Sequence, residues 1–359
     1  MDKNASEGDG FRMKQNRFDS LSGLKGLFCL IIVFFHTLPH TPLINRIPLT
    51  SIIWNYGGMI GNYFFFLSSG LLLSYGYRHR IGSKTITFKD FLIKRLIKLY
   101  PLYLLTNLVS LVCNTIQFGP SAINIKQIVF TILLQNGGGL ETVHPYNGPS
   151  WFVSALLVCY IVFFFIAYHA RNTTQYYCMI AFSVICGYSI LSGRWVNPIA
   201  FAHHGDSLFC FFIGCALAEI YPRIRPEIHK WLQPVSAVSL VAAMALMLKY
   251  GVDIISGDLR VALACFVYPL MIYLALVCKP VIFLLNSRPI QFLGKISFSV
   301  FLWHFVLYDC FRYSYGYIFP GTQIEEVQYL IYLVLMLLVS TLSNKYLEAW
   351  IGKQITKCA

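Results

Sequence analysis

Lys25 and His36 stand eleven residues apart in one apolar run, which opens Arg17-Phe-Asp-Ser-Leu-Ser-Gly-Leu-Lys-Gly and ends on the histidine. At about 100° per residue, eleven steps of an α-helix return to nearly the same face, and the rise separates the two groups by roughly 16 Å. Cys29 and Ile32 fill the stripe between them. A cation at a membrane boundary would then stand below a titratable imidazole set deeper in the bilayer. Ionisable groups are expensive there and by default mark function. An imidazole whose ordinary pKa is near 6.5 suits taking a hydroxyl proton at neutral pH. The plainer reading is a histidine hydrogen-bonded to a neighbouring helix.

A second chemical pair lies in Phe88-Lys-Asp-Phe-Leu-Ile-Lys-Arg95-Leu-Ile-Lys98-Leu-Tyr-Pro101. Arg95 and Lys98 are three apart and share a helix face. Two cations there could grip phosphates, the guanidinium with two parallel bonds. The plainer reading is a basic anchor for lipid headgroups. Three more segments combine small, hydroxyl and aromatic residues: Gly61-Asn-Tyr-Phe-Phe-Phe-Leu-Ser68-Ser69-Gly70, Pro149-Ser-Trp151-Phe-Val-Ser154, and Leu293-Gly294-Lys-Ile-Ser297-Phe-Ser299-Val-Phe-Leu-Trp303-His304. Such residues commonly pack helices or bond across them, so each segment alone reads as structural.

These residues need elements to hold them. The chain has 359 residues, 57% hydrophobic and 12% charged, against about 25% charged in a soluble domain. Apolar runs recur near 22–38, 54–76, 97–117, 150–169, 176–192, 206–221, 233–250, 260–278, 294–312 and 325–345. Each is near the length that crosses a bilayer as a helix, and lipid admits no unsatisfied backbone. The expectation is an all-α polytopic membrane protein, a bundle of about ten transmembrane helices. Residues 124–135 are apolar but too short to span, which suits an interfacial or re-entrant helix. The net charge of +13 does not imply nucleic acid. About 22 of the 28 Lys and Arg fall on one side if the N-terminus is inside, which places both termini in the cytoplasm.

Residues 1–16 then form a polar cytoplasmic tail without a signal-peptide cleavage pattern. Residues 17–348 form the transmembrane domain, and 349–359 a short second tail. The expected outer loops run from Gln117 to Pro149, with Gly137-Gly-Gly139 and His144-Pro145; through Arg194-Trp195 and His203-His204-Gly-Asp206; and from Ser314 to Glu326. The His203–His204–Asp206 group offers too few ligands for a metal site. The 11 cysteines are odd in number, lie mostly in apolar runs and include no C-x-x-C pair, so they read as small buried side chains.

The motifs taken together, in order and over nearly the whole chain, resemble the acyltransferase 3 family of integral membrane acyltransferases that modify surface sugars. The anchors are R-F-x-x-L-S-G-L-K-G with its intramembrane histidine, F-F-x-S-S-G, R-L-I-K-L-Y-P-L-Y, W-F-V-S-A-L-L and L-G-K-I-S-F-S-V-F-L-W-H. The resemblance implies that His36 is the essential histidine, that Lys25 stands where the family usually has Arg, and that Arg95 and Lys98 match its R-x-x-R pair. Ser22 stands where an Asp is common. Lysine at 25 and 98 keeps the charge and loses the bidentate fork.

By that resemblance the donor is an acyl-CoA, most simply acetyl-CoA, used as a co-substrate with no permanently bound cofactor. The acceptor is a hydroxyl of a surface glycan or lipid-linked sugar, and the location is the cell membrane. Phosphates dock near Lys25, Arg95 and Lys98, and the pantetheine arm runs up a conduit to His36. His36 acts as general base, with an acyl-histidine route as a variant. Ser68, Ser69, Trp151, Trp303 and His304 are candidates for the oxyanion or acceptor site. Two rivals share these features: a transporter or flippase for a glycan intermediate or small molecule, and an assembly subunit with a degenerate site.

Overall fold

The computed structural model describes residues 15–38, 48–136, 143–193, 202–250, 259–322, 324–350 and 353; at 15–18, 48–51, 202, 246–248 and 250 it describes the backbone alone. Among the described residues every regular element is helical. In chain order these are α1 (Gln15–Thr37), α2 (Pro48–Gly82), α3 (Phe88–Phe118), α4 (Ile125–Ile132), α5 (Trp151–His169), α6 (Thr173–Leu191), α7 (Ala202–Ile220), α8 (Pro226–Tyr250), α9 (Leu259–Ala262), α10 (Tyr268–Val277), α11 (Lys279–Leu285), α12 (Arg288–Ile318) and α13 (Glu326–Leu342). A π-helical turn, Leu263–Val267, joins α9 to α10, and a second, Ser343–Glu348, extends α13.

Among the described residues, eight helices are long and apolar enough to cross a bilayer. The other two expected spans, 54–76 and 233–250, fall on α2 and α8, which are 35 and 25 residues long. In α2 the residues Asn55, Asn62, Ser68, Ser69 and Ser74 and a run of glycines dilute the apolar character. The apolar stretch of α8 runs into 246–248. The short segment after Asn124 is a helix of 8 residues, α4, capped where the Asn124 side chain accepts the Gln127 N–H. Its end is tied to α3 by Tyr100, whose hydroxyl donates to the Ile132 carbonyl at 2.6 Å.

Two expected loops are shorter than the sequence suggested. The helix α7 begins at Ala202, so His203, His204 and Asp206 sit in its first turns rather than in a loop. Here tertiary contacts overrule the polar composition: His203 stacks on Trp151, and Asp206 accepts the Tyr63 hydroxyl. Similarly α12 continues to Ile318, carrying Ser314 to Gly316 into the helix. Gly137–Gly139 and Arg194–Trp195 lie outside the described residues, as do 1–14 and 354–359 of the two tails.

The core lies where α1, α2, α7 and α12 meet, with Phe64, Leu67, Phe211, Phe212 and Leu302 fully buried. The outside of the bundle is apolar as well. Phe182, Val238 and Leu330 are each more than 60% exposed, a surface that water would not tolerate over such an area and lipid does.

In lipid the hydrophobic effect does not drive helices together, so small residues that let backbones touch become decisive. Between α1 and α12 a Cβ on Gly26 would lie 2.6 Å from the Gly294 nitrogen, and one on Gly294 would collide with the Ser22 carbonyl. Cys29 adds a thiol bond to the Ser297 carbonyl at 3.2 Å. Between α2 and α7, Gly70 abuts the Phe211 carbonyl and Gly214 the Leu67 carbonyl in the same way.

Replacing Gly294 with Val should therefore force α1 and α12 apart and cost about 1–3 kcal/mol, the usual penalty of overpacking. Gly316→Ala, with nothing near its added Cβ, should be neutral or stabilising by about 0.5–1 kcal/mol. Thermal melts of the two variants in one detergent check this; equal midpoints would remove the close contact from the account.

Candidate active site

The α3 helix starts at Phe88 because Thr87 caps it: the Thr87 side chain accepts the Asp90 N–H at 3.1 Å and donates to the Asp90 carboxylate at 2.7 Å. Arg95 thus lies two turns inside a helix rather than ahead of the span expected from 97, and Lys98 lies about one turn further in. They reach the same cavity as Lys25 from α1. That cavity, of about 310 Å³, is also lined by Ser22, Ser69 and Lys295. Three of the predicted cations are therefore brought together, and α12 contributes a fourth.

Among the described residues Arg95 has no carboxylate partner. Its guanidinium lies 4.6 Å from the centroid of the Tyr77 ring, one terminal nitrogen donates to the Tyr77 hydroxyl, and its Nε is buried with no partner among the described residues. A buried orphan donor in a basic cavity is a place for an anion. One carboxylate shares the wall. Glu348, presented by the π-helical turn after α13, accepts the Ser299 hydroxyl and lines the cavity. Neither Lys295 nor Glu348 was singled out by the sequence. Lys295 sits inside a quoted motif but reads there as a topology charge, and Glu348 meets the cavity only because α13 folds back on α12.

His36 ends α1. Its Nδ1 lies 3.0 Å from the Ile32 carbonyl and 3.2 Å from His304 Nε2. A carbonyl only accepts, so Nδ1 carries the proton and Nε2 carries a lone pair. His304 is fixed in the same way: its Nδ1 donates to the Phe301 carbonyl at 2.8 Å, leaving Nε2 to accept from His36. Tyr332 donates to the His304 carbonyl at 2.9 Å and steadies that turn of α12. The His36 ring does not face lipid. It packs edge-on against Phe35 and Phe305, with centroids 4.7 and 5.5 Å away. The arrangement can accept a proton at His36 Nε2 while the second imidazole holds the ring.

The cavity that holds the cations does not reach His36: among the described residues neither His36 nor His304 lines it. The lining on α12 climbs from Gly294 through Ser297 and Phe298 to Phe301, and His304 follows one turn further on. Phe65, Phe152 and Phe301 close that end of the cavity, and the Phe301 ring lies 6.1 Å from the His304 ring. Three apolar residues from three helices prefer contact with one another to an empty polar shaft, which is why a path drawn along one helix stripe is interrupted in the fold.

The remaining candidates separate. Ser69 opens on the cavity, whereas Ser68 is fully buried and donates to the Phe65 carbonyl at 3.2 Å. The proton of His304 is spent on Phe301, so the neutral ring offers none to an oxyanion. Trp303 Nε1 is buried without a partner among the described residues, though the ring is not part of the cavity wall. Trp151 stacks on His203 at 3.9 Å between centroids and 18° between planes, away from the cations.

The turn that delivers Trp151 and Phe152 is pinned by a buried polar network. Asn147 donates its backbone N–H to Asn107 Oδ1 at 3.0 Å, and its Nδ2 donates to the Leu302 carbonyl at 2.8 Å and to Thr106 at 3.2 Å. Asn107 in turn donates to Ser150 at 3.0 Å. The start of α5 is thereby tied to the stretch of α12 just before Trp303.

Comparison with protein families bears on what such a site does. A family described as an acyltransferase domain, the acyltransferase 3 family, matches residues 18–345. This chain belongs to that family. No curated protein and no solved structure matches it. The matched residues take in every element around the cavity except Glu348 and the end of its π-helical turn. The class of the chain is thus that of a membrane acyltransferase.

Asn147→Ala should remove the two side-chain bonds to the Leu302 carbonyl and Thr106 inside this acyltransferase, at a cost of about 1–3 kcal/mol. A melt in detergent checks it, and an unchanged midpoint would show that the turn is held by other contacts.

Proposed function

We propose that this acyltransferase moves an acyl group, acetyl in the simplest case, from acyl-CoA to a hydroxyl of a surface or exported glycan, with His36 as general base. The observation that carries the reading is the arrangement along α1. Lys25 opens on a cavity shared with Arg95, Lys98 and Lys295, and His36, farther along the same helix, keeps its lone pair on Nε2 because Nδ1 holds the proton. The charge bias of the loops turns the cation end to the cytoplasm, where acyl-CoA is made, and the histidine end outward.

The donor's phosphates lie against Arg95, Lys98 and Lys25, and the orphan Nε of Arg95 supplies an unspent donor. The glycan hydroxyl approaches from the other end. Its oxygen attacks the thioester carbon while its proton passes to His36 Nε2. The tetrahedral oxyanion collapses, the carbon–sulfur bond breaks, and the departing CoA thiolate takes the proton from the imidazolium. Ester and free CoA are the products. His304 acts as a positioning residue: its Nε2 accepts from His36 Nδ1 throughout, as a carboxylate does in a triad but without charge. Trp303, whose Nε1 has no partner among the described residues, is the oxyanion candidate on the histidine side, while Ser69 opens on the cation cavity. Trp151, with its stacked His203, is a candidate platform for the sugar.

Purified protein in vesicles, supplied with acetyl-CoA and envelope glycan, should release CoA and gain one acetyl mass on the glycan. His36→Ala should lower that turnover by about 10²–10⁴-fold, the usual loss for a general base. Unchanged turnover at matched protein would remove His36 from the mechanism. A transporter would cleave no thioester at all. Arg95→Ala should raise KM for acyl-CoA by about 10-fold or more, the worth of a charge-assisted bond, with KM for the glycan unmoved. Equal effects on both substrates would end the phosphate role.

A further inference from the structure

Three of the sequence motifs each send one phenylalanine to the same place: Phe65 from α2, Phe152 from α5 and Phe301 from α12. Their centroids form a triangle with sides of 6.2 Å (Phe65–Phe152), 6.1 Å (Phe65–Phe301) and 5.3 Å (Phe152–Phe301). All three line the cation cavity. The triangle therefore has charged groups on one side and the histidine pair on the other, with a single ring, Phe301, bridging to His304.

Its members are not equally fixed. Phe152 is buried and stacked on Phe66 at 4.2 Å and 29°. Phe301 is buried on the helix that carries His304, only three residues away. Phe65 is partly buried and meets Phe64, Phe152 and Phe301, with no stacked partner among the described residues. It is the ring with least to lose by turning aside.

We propose that Phe65, Phe152 and Phe301 form an aromatic septum that selects the donor by acyl length; the proposal rests on the acyl-transfer reading above. A thioester entering from the cation cavity leads with its acyl group, so that group meets the rings first and must pass or part them before the carbonyl reaches His36. Short acyl groups need a small ring displacement. Each added methylene must be housed among rings already in contact, where one methylene decides about 10–200-fold in specificity. The thin pantetheine arm follows through the gap, and the rings close around it and keep water from the thioester.

The test uses the full chain in vesicles with acetyl-, butyryl- and hexanoyl-CoA as donors and envelope glycan as acceptor. Wild type should favour acetyl. Phe152→Ala, and the gentler Phe152→Leu and Phe65→Leu should the first not fold, should raise the butyryl-to-acetyl ratio of kcat/KM by about 10-fold or more. They should also raise thioester hydrolysis in the absence of glycan. Phe212→Leu, a buried ring of α7 that does not line the cavity, should leave the ratio where it was. If wild type transfers acetyl and the septum variants keep its donor ratio, the septum is not a selector and the proposal fails while acyl transfer stands. If the Phe212 variant moves the ratio as much, general loosening explains the change and the proposal again fails. If wild type transfers no acyl group from any donor, the acyl-transfer reading falls and the septum's role falls with it.

Discussion

The contact on which the site depends is the backbone approach of α1 to α12 at Gly26 and Gly294. Lys25 and His36 both ride on α1, and Lys295, Phe301 and His304 on α12. Locking the two helices at their lower turns fixes every one of these side chains relative to the others, because an α-helix is stiff over such a length. The 3.2 Å bond between the imidazoles is the far-end consequence of a glycine contact about two to three turns below it. A bilayer sharpens this dependence. Helix faces gain little by leaving lipid, so shape and backbone proximity must do what burial does in water.

Along the resulting axis the polarity changes in three steps. Four cations and one carboxylate border the cavity; three phenylalanines follow; two imidazoles with their protons already placed come last. Each layer suits its neighbours. Cations with an unspent donor favour an anionic group at one end only, and the apolar rings separate that end from the other. The His36 ring sits between the aromatic rings of Phe35 and Phe305. The family match gives the chain its chemical class, and the layered order gives the acyl-transfer proposal its direction.

Much of the fold was legible because lipid leaves few choices. Long apolar runs have to be helices, and the described residues contain helices alone among regular elements. The Arg95–Lys98 pair was legible because a spacing of three puts side chains on one face wherever the helix begins. The ends were less so. α3 starts nine residues before the expected span because Thr87 and Asp90 cap each other, and α7 takes in His203 and Asp206 because Trp151 and Tyr63 receive them. These are local and tertiary hydrogen bonds and ring contacts that a hydropathy window does not register.

By itself the sequence determined the helical class, the clustering of basic residues, the shared stripe of Lys25 and His36, and a motif order that resembled the right family. All follow from periodicity along one chain. Only the tertiary structure decided that His304 is the partner of His36 rather than a free donor, that Lys295 and Glu348 join the cation cavity, and that Phe65, Phe152 and Phe301 interrupt the path. Those residues stand tens to hundreds of positions apart, and no spacing rule relates them. Their meeting is set by where small residues allow one helix backbone to lie against another.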